Sequence, residues 1–473
     1  MYELFLIINQ QYNGNPVTKK YLLVLHYAES HASAFLINKK GAIFASASQS
    51  IEGREAEYAP LEVIYAVRSA IHKCLKQKGA SPYSISAIGL TVDPQMCLFW
   101  DKDTGLPISQ AVSGKSQRNE DDTRRFSKKT GILLDYRAAG PKWKWLIENE
   151  KEVADAVKIK RARAGTIDSW ILYHLTGRHV HATDWSTASE TMILDFKTLH
   201  YDPFLKKEFS LPKSALPDLS PSVASFGKTQ GFVPLPDGIP ITALASEKAS
   251  GLVGMQANRF GEARLTFANQ GQLTLNMGAE PSTFVLASDN VAHYGQCIDI
   301  PFPNALMRLS RGHDLSDQIE ETQNLAQSVN DAAGLSILAT STGASLMDVG
   351  ADATSAHVVR AIFETIAYQI RSTLLQFEQD TGIHIKEIRA DGPISKSNFV
   401  MQYCADILQI PVLRFQTDYP AILGMALLMS PPGDLQKNIK VDRSFQPLMD
   451  PISSFAKYNE WRQLRDQIVE RNR

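Results

Sequence analysis

The first half of the chain opens with short apolar runs punctuated by turns. Tyr21–His26 and Ala34–Asn38 read as strands, Lys39-Lys40-Gly41 as a turn, and Ala42–Ala47 as a third strand, which together predict an antiparallel meander. Near Pro60 the period lengthens: Val63, Val67, Ile71 and Cys74 fall on one face of a helix. Ser86–Val92 reads as a buried strand, and Cys97–Trp100 runs into the hairpin signal Asp101-Lys102-Asp103-Thr104-Gly105. Helical patterns dominate from 118 to 180, and the proline- and serine-rich stretch Pro212–Pro240 reads as loop and crossover. From about 244 the pattern restarts. Glu262–Asn269, Gln272–Met277 and Ser282–Leu286 read as strands, and a long helix is expected from His357 to Asp380. Strand Glu387–Asp391, helix Asn398–Leu408, strand Val412–Phe415 and helix Ile422–Met429 follow. Two rounds of strands first, then alternating helix and strand, predict two similar α/β domains with a cleft between them.

The expected division is an extension over 1–18 ending in an Asn-Gly-Asn-Pro turn, a first domain over 19–243 and a second over 244–435. Residues 436–473 are expected to pack back on the core as helix, with Trp461 and Leu464 facing protein.

Composition narrows the function classes. Of 473 residues 44% are apolar and 21% charged, and 49 basic against 50 acidic side chains leave a formal net charge of -1, which excludes the basic footprint of a nucleic-acid binder. Cys74, Cys97, Cys297 and Cys404 lie far apart with no C-x-x-C pair, against a zinc site or disulfide framework and in keeping with a reducing compartment. The N-terminus lacks a basic region ahead of its short apolar run, and neither Tyr21–Leu25 nor Ala421–Met429 approaches a membrane span, so a cytoplasmic protein is expected.

Longer stretches carry a resemblance. Gly165-Thr-Ile-Asp168-Ser-Trp170-Ile-Leu-Tyr-His-Leu175-Thr-Gly177, continuing through Val180-His181-Ala-Thr183-Asp184-Trp-Ser-Thr-Ala188-Ser189-Glu-Thr-Met192, resembles the FGGY carbohydrate kinase family, and within it the glycerol kinases. Ala87–Thr91, Trp100–Gly105, Lys142–Asn149, His357–Gln369 and Met401–Leu408 are similar to the same family in the expected order. The resemblance implies two actin/hexokinase-like (ribonuclease H-like) domains with ATP-Mg²⁺ in an interdomain cleft and a polyol held mainly by the first domain. Phosphoryl transfer depends on positioning and charge stabilisation more than on covalent chemistry.

The site motifs depart from the family. Its first phosphate loop, D-x-G-T-T-S, is matched by His26-Tyr27-Ala28-Glu29-Ser30-His31. Histidine replaces the metal-organising aspartate, and Glu29 places a carboxylate toward phosphate; two unit charges about 4 Å apart repel by about 4 kcal/mol at an effective dielectric near 20. The general-base motif G-D-Q is matched by Ser246-Glu247-Lys248: Glu247 keeps a carboxylate displaced by about 1 Å, a shift that can cost about 10²-fold. Lys248 beside it favours the ionised form. The second phosphate loop is matched by Thr266-Phe267-Ala268-Asn269-Gln270, with Gly271 one residue later. The adenosine-side D-G-G reads Asp391-Gly392-Pro393. Pro420–Ala426 matches a helix whose glycine reads as packing. On the polyol side the family's Q-R-E corresponds to Asp93-Pro94-Gln95, its aromatic residue to Arg137 with Tyr136 adjacent, and its W-Q-D-R-R run to Gly114–Arg118.

These departures lead to an expectation of a catalytically inactive pseudokinase with a binding or regulatory role, no cofactor, no metal site, and pairing with itself or a related kinase. The alternative is an active ATP- and Mg²⁺-dependent carbohydrate or polyol kinase of altered substrate, with Glu247 as general base. His26 and His31 read as surface or cleft-lining residues and Lys158–Arg163 as a solvated helix end. His179 and His181 are expected on one face of a strand, and Trp143 and Trp145 in a buried helix.

Overall fold

In the computed structural model, the described residues are 19–28, 30–54, 56–267, 271–279, 284–286, 293–300, 319–340, 343–347, 352–430 and 433–471. Side chains are not described for 284, 338–340, 343–347, 434 and 468–471. The chain forms two compact units: residues 1–195, 199–246 and 425–436 in the first, and 196–198, 247–424 and 437–473 in the second.

The first unit is built on a five-stranded sheet. β1 (Tyr21–Ala28), β2 (His31–Asn38) and β3 (Ile43–Ser50) form the antiparallel meander, closed on its outer face by α1 (Pro60–Gln77). β1 runs two residues past His26 because Tyr27 is fully buried and pairs with Ala32. α1 starts at Pro60, where a missing N–H costs nothing, and buries Val63, Ile64, Val67, Ala70, Ile71 and Cys74. Each such aliphatic side chain contributes about 1.5–3 kcal/mol on burial. β4 (Ile85–Val92) then pairs parallel to β1, and β8 (Ile241–Ser246) parallel to β4. Between them, β5 (Cys97–Asp101), α2 (Glu120–Thr130), α3 (Ala139–Asn149), β6 (Ala162–Thr166), α4 (Ile167–Leu175), β7 (Ala182–Asp184) and α5 (Trp185–Ser189) build a second layer. Its core gathers Phe99, Trp143, Leu146, Ile193 and Phe209. Trp143 is buried there, whereas Trp145 is only half-buried, its ring lying under the Arg118 guanidinium at 4.9 Å. The expected burial of both tryptophans holds for one of them.

The second unit repeats the plan. It opens with α6 (Glu247–Gly254), and β9 (Ala263–Phe267), β10 (Gly271–Asn276) and β11 (Tyr294–Ile300) form its meander. After α7 (Ser355–Thr381), β12 (Ile388–Asp391) pairs parallel to β9; after α8 (Asn398–Leu408), β13 (Val412–Phe415) pairs parallel to β12. Thr354 and His357 form a capping box at the start of α7, and the left-handed Gly382 (φ 70) ends it. α9 (Pro420–Leu428) packs its start against α6 with no side chain between: a Cβ on Gly424 would lie 1.7 Å from the Ser250 carbonyl oxygen, and one on Gly254 1.9 Å from that of Pro420. β14 (Val441–Phe445) borders the sheet, and α10 (Pro451–Arg471) buries Trp461, whose Nε1 donates to the Ile337 carbonyl at 3.1 Å.

Cys74, Cys97 and Cys404 are buried and Cys297 half-buried, none in a disulfide. Burial pushes the Cys74 thiol up to about 11 and that of Cys97 up to about 12, and raises Cys404 as well. No helix among the described residues is long and apolar enough to cross a membrane.

Candidate active site

In open parallel sheets, ligands gather beyond the carboxyl ends of the strands. In the first unit those ends belong to β1, β4 and β8, and the register aligns His26 with Thr91, Thr91 with Ala245, and Val92 with Ser246. His26, Asp93-Pro94-Gln95 and Ser246 therefore sit at one edge of the sheet. His26 and Ser30 are half-buried, and Ser30 Oγ lies 3.0 Å from His31 Nδ1. Ala28 pairs with His31 at the end of the β1–β2 ladder. Glu29 itself lies outside the described residues. An imidazole offers nitrogen donors, whereas Mg²⁺ takes oxygen ligands in near-octahedral array, so the His26 position does not fit that metal.

Asp93 continues β4: its N–H donates to the Tyr27 carbonyl, and its Oδ1 accepts from the Gln95 N–H at 3.2 Å. Pro94 is buried, and the Gln95 carboxamide packs over Gly114. Within this sheet edge the three residues form a closed turn.

Tyr136 and Arg137 lie on the short turn before α3. Arg137 Nε donates to both Asp135 oxygens, at 3.1 and 2.9 Å, so its guanidinium is engaged within the turn. Burial opposes ionisation of Asp135, but the Arg137 hydrogen bonds outweigh it and hold the carboxyl below its ordinary range. Beneath the side chains, Lys142 Nζ donates to the Tyr136 carbonyl at 2.7 Å and to the Arg137 carbonyl at 2.5 Å. Asn119 Nδ2 donates to the Tyr136 carbonyl at 3.0 Å.

The end of β8 is fixed by a constellation that sequence reasoning missed. The Ser246 N–H donates to Ser186 Oγ at 2.8 Å, and Ser186 Oγ in turn donates to Asp184 Oδ2 at 2.6 Å. Ser222 Oγ donates to the same oxygen at 2.6 Å, and the Ser186 and Thr187 amides also point at Asp184, which caps α5. Burial raises the Asp184 pKa despite these donors. The Asp-x-Ser pattern ahead of a short helix was the available sign. Glu247 and Lys248, both half-buried, follow Ser246 directly as the first residues of α6.

In the second unit the corresponding strand ends are Thr266 and Asp391, which pair in register across β9 and β12. Arg264 donates to Asp391 Oδ2 through Nε at 3.0 Å and Nη2 at 2.7 Å, both side chains almost wholly buried. Asp391 Oδ1 has no hydrogen-bond partner among the described residues. Gly392 holds φ 88, and a Cβ there would lie 2.4 Å from the Phe267 carbonyl oxygen, so only glycine fits. Pro393 opens a 3₁₀ turn, Pro393–Lys396. Gly271 pairs with Phe267 across the β9–β10 hairpin, while Asn269 lies outside the described residues.

The histidine expectation needs correction: β7 begins only at Ala182, leaving His179 exposed and His181 buried. His181 lies within 2.6 Å of Arg163 Nη1, and burial lowers its pKa to about 3. Among the described residues no cluster of three or more His, Cys, Asp or Glu is placed to hold a metal ion.

Residues 21–254 match the FGGY family of carbohydrate kinases, N-terminal domain, and residues 328–430 match its C-terminal domain. The glycerol kinase of Trichodesmium erythraeum is 30% identical over 443 residues, covering 84% of this chain and 86% of that protein. The glycerol kinase of Pseudothermotoga lettingae is 28% identical over 488 residues, covering 94% and 98%. A crystal structure of Plasmodium falciparum glycerol kinase with ADP superposes with a TM-score of 0.85 at 22% identity, covering 96% and 98%, a likeness of fold.

Proposed function

Because the chain belongs to the FGGY family of carbohydrate kinases, with its two-domain actin/hexokinase-like fold, we propose that it phosphorylates a small polyol or sugar from a nucleoside triphosphate. Glu247 is the general base of this reading. Its carboxylate accepts the proton of the acceptor hydroxyl, whose oxygen forms the new bond to the terminal phosphorus. The bond from that phosphorus to the bridging oxygen breaks, and the nucleoside diphosphate leaves. The observation that carries the reading is the placement of a carboxylate one residue beyond Ser246, the strand end that Ser186 and Asp184 pin in place. Polyol phosphorylation by the relatives named glycerol kinase supports the substrate class. The changed residues Pro94, Gln95, Tyr136 and Arg137 argue for an acceptor other than one held as those relatives hold theirs. The expectation that no nucleotide is used finds no support among these relatives or in the similar solved structure, a glycerol kinase with ADP. No step is assigned to a metal at His26.

A second reading, a non-catalytic binding protein on the same scaffold, is favoured by one observation: histidine in place of the family's metal-organising aspartate at the β1 end. A coupled assay of diphosphate formation across polyols and sugars separates the two. The kinase reading expects turnover that falls about 10²-fold or more in Glu247→Gln. Absence of turnover across the panel, with a saturable nucleotide-dependent rise in melting temperature that survives Glu247→Gln, would replace it by the binding reading. Ligand at 100 times its dissociation constant stabilises the native state by about 2.7 kcal/mol, enough for a clear shift.

A further inference from the structure

A buried lysine stands under the turn that carries Tyr136 and Arg137. Lys142 is 1% exposed, and its Nζ donates to the two successive carbonyls of that turn. We propose that Lys142 is a positioning residue whose ammonium group orders the 135–138 turn and thereby sets how tightly the acceptor substrate is held. The proposal rests on the kinase reading for the word substrate, because that reading places Tyr136 and Arg137 against the acceptor. The ordering of the turn stands on the contacts alone.

The environment makes this a charge-dependent device. Burial lowers the Lys142 pKa to about 8, with Arg137 and Arg118 pushing the same way and the Asp135 carboxylate opposing them. Lys142 changes charge between pH 7 and 9, whereas burial holds the Cys97 thiol up at about 12 and Asp135 sits below the ordinary carboxylate range. Charge-assisted hydrogen bonds are roughly twice as strong as neutral ones, and the turn draws on two of them. Loss of the charge should weaken the Tyr136 and Arg137 carbonyl contacts together, and with them the amides of Arg137 and Ala138, which donate to Asp135 Oδ1 and to the Asp135 carbonyl.

Amide hydrogen exchange of the 135–138 segment tests the ordering without any turnover. Protection, corrected for intrinsic rate, should fall roughly tenfold in Lys142→Met and between pH 7 and 9 in the unmodified protein, and should be retained in Lys142→Arg. Constant protection across that pH range overturns the proposal even if Lys142→Met fails to fold. With an acceptor in hand, the apparent KM should rise across the same pH range while kcat changes little. A loosened turn with an unmoved KM overturns the link to substrate. A loosened turn with no acceptor turned over at all keeps the positioning role and rejects the kinase reading instead.

Discussion

Both units bury aspartates at or just beyond their strand ends, and they solve the problem in opposite ways. In the first unit Asp168 and Asp184 are almost wholly inaccessible and are met by hydroxyls and amides: Thr166 and Thr183 donate to Asp168, and Ser186, Ser222 and the Thr187 amide to Asp184. In the second, Asp391 meets a guanidinium, through two hydrogen bonds from Arg264. Neutral donors leave the cost of burying charge largely uncompensated, so the first unit's carboxyls are raised toward protonation, Asp168 to about 6. The ion pair ties two parallel strands together, but it makes each partner hostage to the other.

The comparison breaks most visibly at the ion pair. Arg264→Met leaves Asp391 buried and uncompensated and should cost the second unit about 3–5 kcal/mol, while Arg264→Met with Asp391→Leu should recover most of that loss. Hydrogen exchange of β9 and β12 in denaturant measures both. A single variant no weaker than the double one would show that the pair contributes little beyond packing. In the first unit, Ser186→Ala removes one donor from Asp184 and strands the buried Ser246 amide, for an expected loss of about 1–3 kcal/mol. On the kinase reading proposed above, it should also lower turnover through displacement of Glu247. Equal loss in Ser222→Ala, which touches Asp184 but not Ser246, would mean that the strand end matters no more than the carboxyl.

The smallest effect is on pH dependence. The Asp168 pKa in the folded protein lies above its ordinary 3.8, so the folded state binds more protons than the unfolded one between roughly pH 4 and 6. The stability this group contributes is complete below about 4 and is lost as pH rises through about 6. Burial raises Asp184 in the same direction. His174 and His181, whose pKa burial lowers to about 4 and about 3, contribute in the opposite sense, so the test is the difference between proteins: urea midpoints of Asp168→Asn relative to the unmodified first unit should rise from pH 4 to pH 6. A difference that stays constant over that range would assign the pH dependence to other groups.

Periodicity made the strands and long helices readable because their apolar faces are local: helix Asn398–Leu408 and strand Val412–Phe415 form over the expected residues, and the helix expected from His357 spans Ser355–Thr381. The apolar run of β1 stops at His26 in the sequence, two residues short of the strand, because Tyr27 and Ala28 owe their pairing to β2, not to any local signal. The site was legible only as motif positions. Arg264 and Asp391 are 127 residues apart in the chain, and nothing near either predicts the other. In the sequence nothing sets Lys142 apart from the helix that holds Trp143 and Trp145, since its partners are backbone carbonyls, which every sequence has. His179 and His181 part because the strand begins only at Ala182, after both of them.

The distribution of thiols has a practical side. A thiolate is the reactive form, and the buried Cys74, Cys97 and Cys404 are kept protonated well above neutral pH, whereas Cys297 is half-buried. A maleimide reagent near pH 7 should therefore find one preferred sulfur, on β11 of the second unit. The native chain thus comes with a built-in attachment point for a fluorophore or spin label, with no need to strip out the other three cysteines first.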